Sequence, residues 1–201
     1  MKEIFKGICA GILISIGCTI YLKVNNYIGA ILFSIALYMI CIKGFSLYTG
    51  KIGFICQNHK KEDIKMLVVG LIGNIISVMI FGILVSYAIP DIKESAKIIC
   101  ESKLIDQSFW QTFIRAMMCG FLMYMAVSGY KECNSVLSIF LAVSVFILCG
   151  FEHSIANIGY FSIANCLTIE SVLFIIVCII GNSFGAILVP LMSILSNIHK
   201  K

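Results

Sequence analysis

CNSVLSIFLAVSVFILCGFEHSIANIGYFSIANCLTI, residues 133–169, is the stretch on which the fold turns. It carries one acid–base pair, Glu152-His153, and is otherwise apolar or small. At roughly 20 residues per bilayer crossing, the run is too long for one ordinary span and too short for two spans and a turn. A single crossing is expected, its helix broken at Leu148-Cys149-Gly150-Phe151. Backbone released from a helix at membrane depth survives only where protein or a water-filled cavity satisfies it. An ionisable pair beside such a break is expected to face a bundle interior or a pathway, because lipid would be a costly neighbour. The plainer reading makes Glu152 and Ser154 caps of the second half-helix. That reading accounts for Glu152 and still leaves His153 to face a pore.

Working outward, the same punctuation occurs 106 residues earlier, where Ile42-Lys43-Gly44-Phe45 interrupts an apolar run that resumes to Cys56. Ile72-Gly73-Asn74 and Ile180-Gly181-Asn182 repeat at a spacing of 108. Six spans are expected: Gly7–Leu22, Val24–Ile42, Met66–Ile89, Phe109–Tyr130 with Arg115 near its start, Cys133–Phe151 and Ser171–Asn197. Three spans per half, with the second and fifth broken, put the halves (about 1–89 and 108–199) in opposite orientations. This is the inverted-repeat plan of transporters and channels, in which discontinuous helices meet near the midplane. Residues 1–201 are expected to form one transmembrane channel domain. The opening, charged Met1 to Lys6 before uncharged Gly7 to Leu22, imitates a signal peptide but lacks an A-x-A-like cleavage site, and is read as the first span.

Composition agrees. The chain is 60% hydrophobic and 12% charged, with a mean hydropathy of +1.03, outside the soluble range of about half apolar and a quarter charged. A soluble domain of this size would expose much of that apolar surface, so lipid must be the solvent. Long, continuous apolar runs with only two prolines favour helices over a transmembrane barrel. Ten scattered cysteines show no CxxC or Cys/His spacing, so no metal or cofactor site is expected, and the thiols read as small hydrophobes in a reducing compartment. The charge of +5 sits at segment ends, without interleaved aromatics, and nucleic acid is not an expected partner. Nine lysines fall on the side of the termini (2, 6, 51, 60, 61, 65, 131, 200 and 201) against five cations opposite (Lys23, Lys93, Lys97, Lys103 and Arg115). Both termini are therefore expected in the cytoplasm of a multi-pass protein of the plasma or inner membrane.

Candidate residues follow from the breaks. His153 can exchange a proton near neutral pH. Thr49 offers a hydroxyl at the other break, although alone it would be an ordinary turn residue. Lys43 could snorkel to an interface as readily as line a pore. Asn74 and Asn182 could be simple interhelical hydrogen-bonders, but their matched positions favour places beside the breaks. No nucleophile-base-acid arrangement or phosphate loop is present, so the chain is not expected to be an enzyme.

The string Gly150-Phe151-Glu152-His153-Ser154-Ile155-Ala156-Asn157, with Asn26 to Ser34, Leu47-Tyr48-Thr49-Gly50-Lys51 and Gly181-Asn182-Ser183-Phe184-Gly185, resembles the formate/nitrite transporter family in the same order along the chain. The resemblance implies a homopentamer in the lipid bilayer, with an aquaporin-like pore in each protomer for small monovalent anions or their conjugate acids. Formate, nitrite, hydrosulfide and short carboxylates are such substrates. It implies Thr49 and His153 facing each other at the pore centre, with Glu152 and Asn182 supporting. Apolar constrictions would be Phe33, Leu37, Leu47 and Tyr48 on one side, with Phe146 and Met123 on the other. Lys103, one place off the family's position, would attract anions at the pore mouth. Gly120 stands where an asparagine is common, and Tyr48 where many members have Phe. The competing expectations are a neutral small-solute channel and a non-transporting membrane scaffold.

Overall fold

A computed structural model describes residues 2–24, 26–57 and 60–196. Met1, Asn25 of the expected second span, Asn197 of the sixth, and Lys200 and Lys201 lie outside the described residues. The described chain is helical: α1 Lys2–Val24, α2 Tyr27–Lys43, the short α3 Tyr48–Lys51 continued by a 3-10 turn over Ile52–Cys56, α4 Lys61–Ala88, α5 Ile92–Ile105, α6 Phe109–Cys133, α7 Val136–Leu148, α8 Ser154–Ala164 and α9 Ile169–Leu195.

Local chemistry sets these ends. Asn26 caps α2, accepting from the amides of Ile28 and Gly29, and Ser108 and Thr168 open α6 and α9 with capping boxes. The two breaks share one device. Gly44 at φ 64° and Gly150 at φ 65° take the left-handed conformation just past α2 and α7, which a side chain would strain. By length and apolarity α1, α4, α6 and α9 can each cross a membrane, and α2 with α3 makes a crossing bent by 59°. The shorter apolar α7, followed after its own break by α8, completes the set of six with the second and fifth broken.

The halves mirror one another in packing. Helix α1 lies against α4 and α2, as α6 lies against α9 and α7, while α3 packs on α6 and α8 on α4. Each half-helix is thus buried in the opposite half. Close backbone approach at two repeat-related places makes this packing tight: a Cβ on Gly11 would sit 2.7 Å from the Asn74 carbonyl oxygen, and one on Gly120 2.0 Å from the Asn182 carbonyl oxygen. An asparagine side chain would have no room at position 120.

The expected outside loop is ordered. Its α5 buries Ile92, Ala96 and Cys100 and packs on α8. Lys23, at the end of α1, bonds Asp91 just before α5 and holds its carboxyl below the usual carboxylate range. All ten cysteines are free thiols; Cys18, Cys100, Cys119 and Cys178 are buried, whereas Cys133 and Cys149 are exposed.

Candidate functional site: the meeting of two broken helices

The two breaks bring Thr49, in the first turn of α3, within 2.8 Å of His153, with Oγ1 against Nε2. Both side chains are buried, Thr49 completely. His153 is the N-cap of α8: its Nδ1 accepts the Ala156 amide at 3.1 Å. An imidazole nitrogen that accepts carries no proton, so the ring is neutral with its hydrogen on Nε2, donated to Thr49 Oγ1. The helix cap and the partner of Thr49 are therefore one residue, with a nitrogen for each task. Phe146 stacks on the imidazole with centroids 5.6 Å apart and planes 20° from parallel.

Two asparagines fix the half-helices by the same three bonds. Asn74 Oδ1 accepts the Tyr48 amide, while its Nδ2 donates to the carbonyls of Gly7 and Ser46. Asn182 Oδ1 accepts the Ser154 amide, while its Nδ2 donates to the carbonyls of Ala116 and Glu152. Every polar atom of each amide group is used, at 2.7 to 2.9 Å. Each break also donates to the first helix of its own half: Ser46 N–H to the Lys6 carbonyl and Glu152 N–H to that of Arg115.

Glu152 points away from His153. Its carboxylate accepts from Gln107 at 2.8 Å, from Asn157 at 2.9 Å and from Lys103, with which it forms an ion pair. Two cavities approach the Thr49–His153 pair from opposite ends of the bundle. One, of about 230 Å³, is lined by Leu37, Leu47, Gly50, Lys51 and Lys131 among others. The other, of about 350 Å³, is lined by Phe146, Glu152, His153, Lys103, Gln107 and Arg115 among others. A third cavity of about 300 Å³, beside the first, takes in Glu3, Ser46, Tyr48 and Lys51. The hydrogen-bonded Thr49–His153 pair thus sits beside the Phe146 ring, with the two cavities on either side of it.

The family model for formate/nitrite transporters matches residues 1–196. The chain belongs to this family. Among relatives, the uncharacterized transporter YwcJ of Bacillus subtilis (strain 168) is 26% identical over 189 residues, covering 82% of this chain and 73% of its own. Formate channel FocB of Escherichia coli (strain K12) is 22% identical over 174 residues, with 74% of this chain matched. The chain spans 61% of FocB's length. A solved structure of a pentameric formate channel with formate bound superposes with a TM-score of 0.83 at 22% identity, over 98% of this chain and 97% of that one. The shared fold is that aquaporin-like protomer; the family and these relatives are transporters and channels, not enzymes.

Within this family framework the residues singled out from sequence distribute unevenly. Leu37 and Leu47 line the 230 Å³ cavity together. Phe33 sets its ring edge-on against Phe146, centroids 6.2 Å apart, so it packs with the residue expected on the opposite side. Met123 is buried on α6. Tyr48 is turned toward α9, its hydroxyl 2.7 Å from Ser183 Oγ. Ser183 already donates to the Ile179 carbonyl, so the tyrosine is the donor. Lys103 is held by Glu152 rather than left free at the mouth. Sequence reading missed Gln107, Asn157 and Ser183 as partners. Asn157 closes the most family-specific string and Ser183 lies within the Gly181 to Gly185 string, so both could have been found there; Gln107 carries no local signal.

Proposed function

We propose that the chain conducts small monovalent anions of weak acids, such as formate, nitrite or hydrosulfide, with a proton shared at the centre of each protomer. The observation that carries this reading is the 2.8 Å contact between Thr49 and His153 at the meeting of two broken helices. A bare anion between Leu and Phe side chains lacks partners, whereas its conjugate acid is far cheaper to move. The pair meets that difficulty with one polarised chain. His153 Nε2–H donates to Thr49, and the Thr49 hydroxyl proton remains for the anion. The proton is shared and not surrendered by the ring alone, because losing the Nε2 hydrogen would leave an imidazolate. Net transfer requires a solvent proton, taken up by the anion in the vestibule or by Nδ1 at the expense of its bond to Ala156. Asn182 positions His153 through the Ser154 amide and the Glu152 carbonyl; Glu152 ties α8 to Lys103 and Gln107.

The wider arrangement belongs to the same proposal. Residues 1–201 act as one domain with halves at about 1–89 and 108–199. Five copies assemble, a reading supported by the likeness to a formate channel that is itself pentameric. Both termini lie in the cytoplasm of a plasma or inner membrane.

Purified protein in liposomes, given formate, nitrite, hydrosulfide, lactate and acetate across imposed pH gradients, should carry at least one of these acids at a rate that rises on the acidic side. Flux of uncharged solutes with no response to pH would replace this reading with a neutral-solute channel, and no swelling with any small solute would leave a scaffold. Native mass spectrometry should count five subunits, and cysteine labels at position 2 and within 90–107 should react from opposite sides. A conducting monomer, or labels reacting from one side, would remove those parts.

A further inference from the structure

Arg115 lies six residues into α6, about 9 Å along the helix axis from Phe109. A guanidinium two turns inside a spanning helix is expensive unless something polar receives it. None of the four ion pairs among the described residues includes Arg115. The side chain lines the 350 Å³ cavity with His153, and its Nη1 lies 3.9 Å from where a Cβ on Gly150 would stand. It therefore reaches toward the α7–α8 break and not along lipid, as a snorkelling side chain would. Gly150, glycine for its positive φ, also leaves the space beside the guanidinium open.

The remaining charges of that cavity cancel. Lys103 and Glu152 neutralise each other, and the carboxylate is further engaged by Gln107 and Asn157. Arg115 is the uncompensated cation among the described lining residues. Its repeat-related counterpart is Lys6, since the two carbonyls accept the amides of Glu152 and Ser46 at the two breaks. Lys6, however, is paired with Glu3 at 2.7 Å. One half of the inverted repeat keeps its cation quenched and the other keeps it free.

We propose that Arg115 is an anion-recognition residue of the outer cavity, selecting planar oxyanions, carboxylates and nitrite, before they meet Thr49 and His153. The planar fork of a guanidinium matches two oxygens of one anion, whereas a monatomic centre such as that of hydrosulfide or chloride gains only the charge. This inference rests on the proposed weak-acid transport but is tested by binding, independently of flux.

Purified wild type, Arg115→Gln and Arg115→Lys are heated with increasing formate, nitrite, hydrosulfide or chloride at constant ionic strength, each variant against its own ligand-free midpoint. An anion that binds the folded protein raises that midpoint. Wild type should be stabilised by formate and nitrite at concentrations where chloride does nothing. In Arg115→Gln the formate concentration giving half the effect should rise about tenfold or more, as expected for losing hydrogen bonds from a charged donor. Arg115→Lys, which keeps the charge without the fork, should remain several-fold weakened for formate and nitrite while hydrosulfide behaves as in wild type. Equal formate titrations in wild type and Arg115→Gln would overturn the site, and a wild-type titration in Arg115→Lys would overturn recognition by shape. Arg115-dependent formate binding in a protein that carries no weak acid would sink the transport reading and leave this one standing; transport without such binding would do the reverse.

Discussion

Weak-acid flux through His153→Asn should fall about tenfold or more, and its dependence on pH should flatten, while expression and assembly stay near wild type. The substitution separates the two tasks of the ring. Asparagine is among the best N-cap residues, so its Oδ1 can take over the Ala156 amide that Nδ1 now accepts. Its amide nitrogen can still donate toward Thr49. What it cannot do is take up a second proton as an imidazole ring can, or stack as imidazole does on Phe146. A tenfold loss corresponds to about 1.4 kcal/mol at the barrier, within the worth of one hydrogen bond to a charged group. The measurement is flux of the preferred acid in liposomes across a series of external pH values. A variant that conducts at the wild-type rate with the wild-type pH profile would leave His153 as a cap alone.

The second large effect is on stability. Asn182→Ala strands the Ser154 amide and the Glu152 carbonyl; the Ala116 carbonyl lies within α6 and keeps its helical bond. Two magnitudes compete. Interhelical side-chain bonds in membranes average about 0.6 kcal/mol, which for three bonds gives about 2 kcal/mol. A buried backbone group with no partner costs about 1 to 3 kcal/mol, which for two groups gives about 2 to 6 kcal/mol. The larger figure applies here, because Asn182 and Ser154 are fully buried and the two freed groups, the first amide of α8 and a carbonyl of the break before it, have no partner within a helix. Set against typical stabilities of about 5 to 15 kcal/mol, the loss should remove a large share of the protein's stability. Asn74→Ala likewise strands the Tyr48 amide and the Ser46 carbonyl, and should cost about as much. The thermal midpoint of each variant in detergent checks this, alongside its elution on size exclusion. If either stays within a few degrees of wild type, water or a rearranged break satisfies those groups and the asparagines are not what holds the half-helices.

Much of this molecule is written in short-range signals. The Glu152-His153 pair inside residues 133–169, the glycines at 44 and 150, and the spacing of Asn74 from Asn182 sufficed for two broken crossings and an inverted repeat. They sufficed because a helix break is a local event, governed by φ at a glycine and by the nearest cap, and because membrane depth forbids leaving it unpaired. The meeting of Thr49 and His153 was also legible, but only through the family string around them. Which group satisfies which was not. Glu152 turns to Lys103, Gln107 and Asn157 instead of toward its neighbour in the chain, and Phe33 pairs with Phe146 from the other half. The Tyr48 hydroxyl reaches Ser183, 135 residues away. Lys103 and Arg115 look alike in sequence, two cations in the same stretch; only the packed bundle quenches one against a carboxylate and aims the other, unpaired, at the open side of Gly150. Charge in a membrane protein acquires its meaning from the partner across the cavity, and that partner is chosen by how antiparallel halves interlock, which no local window of sequence contains.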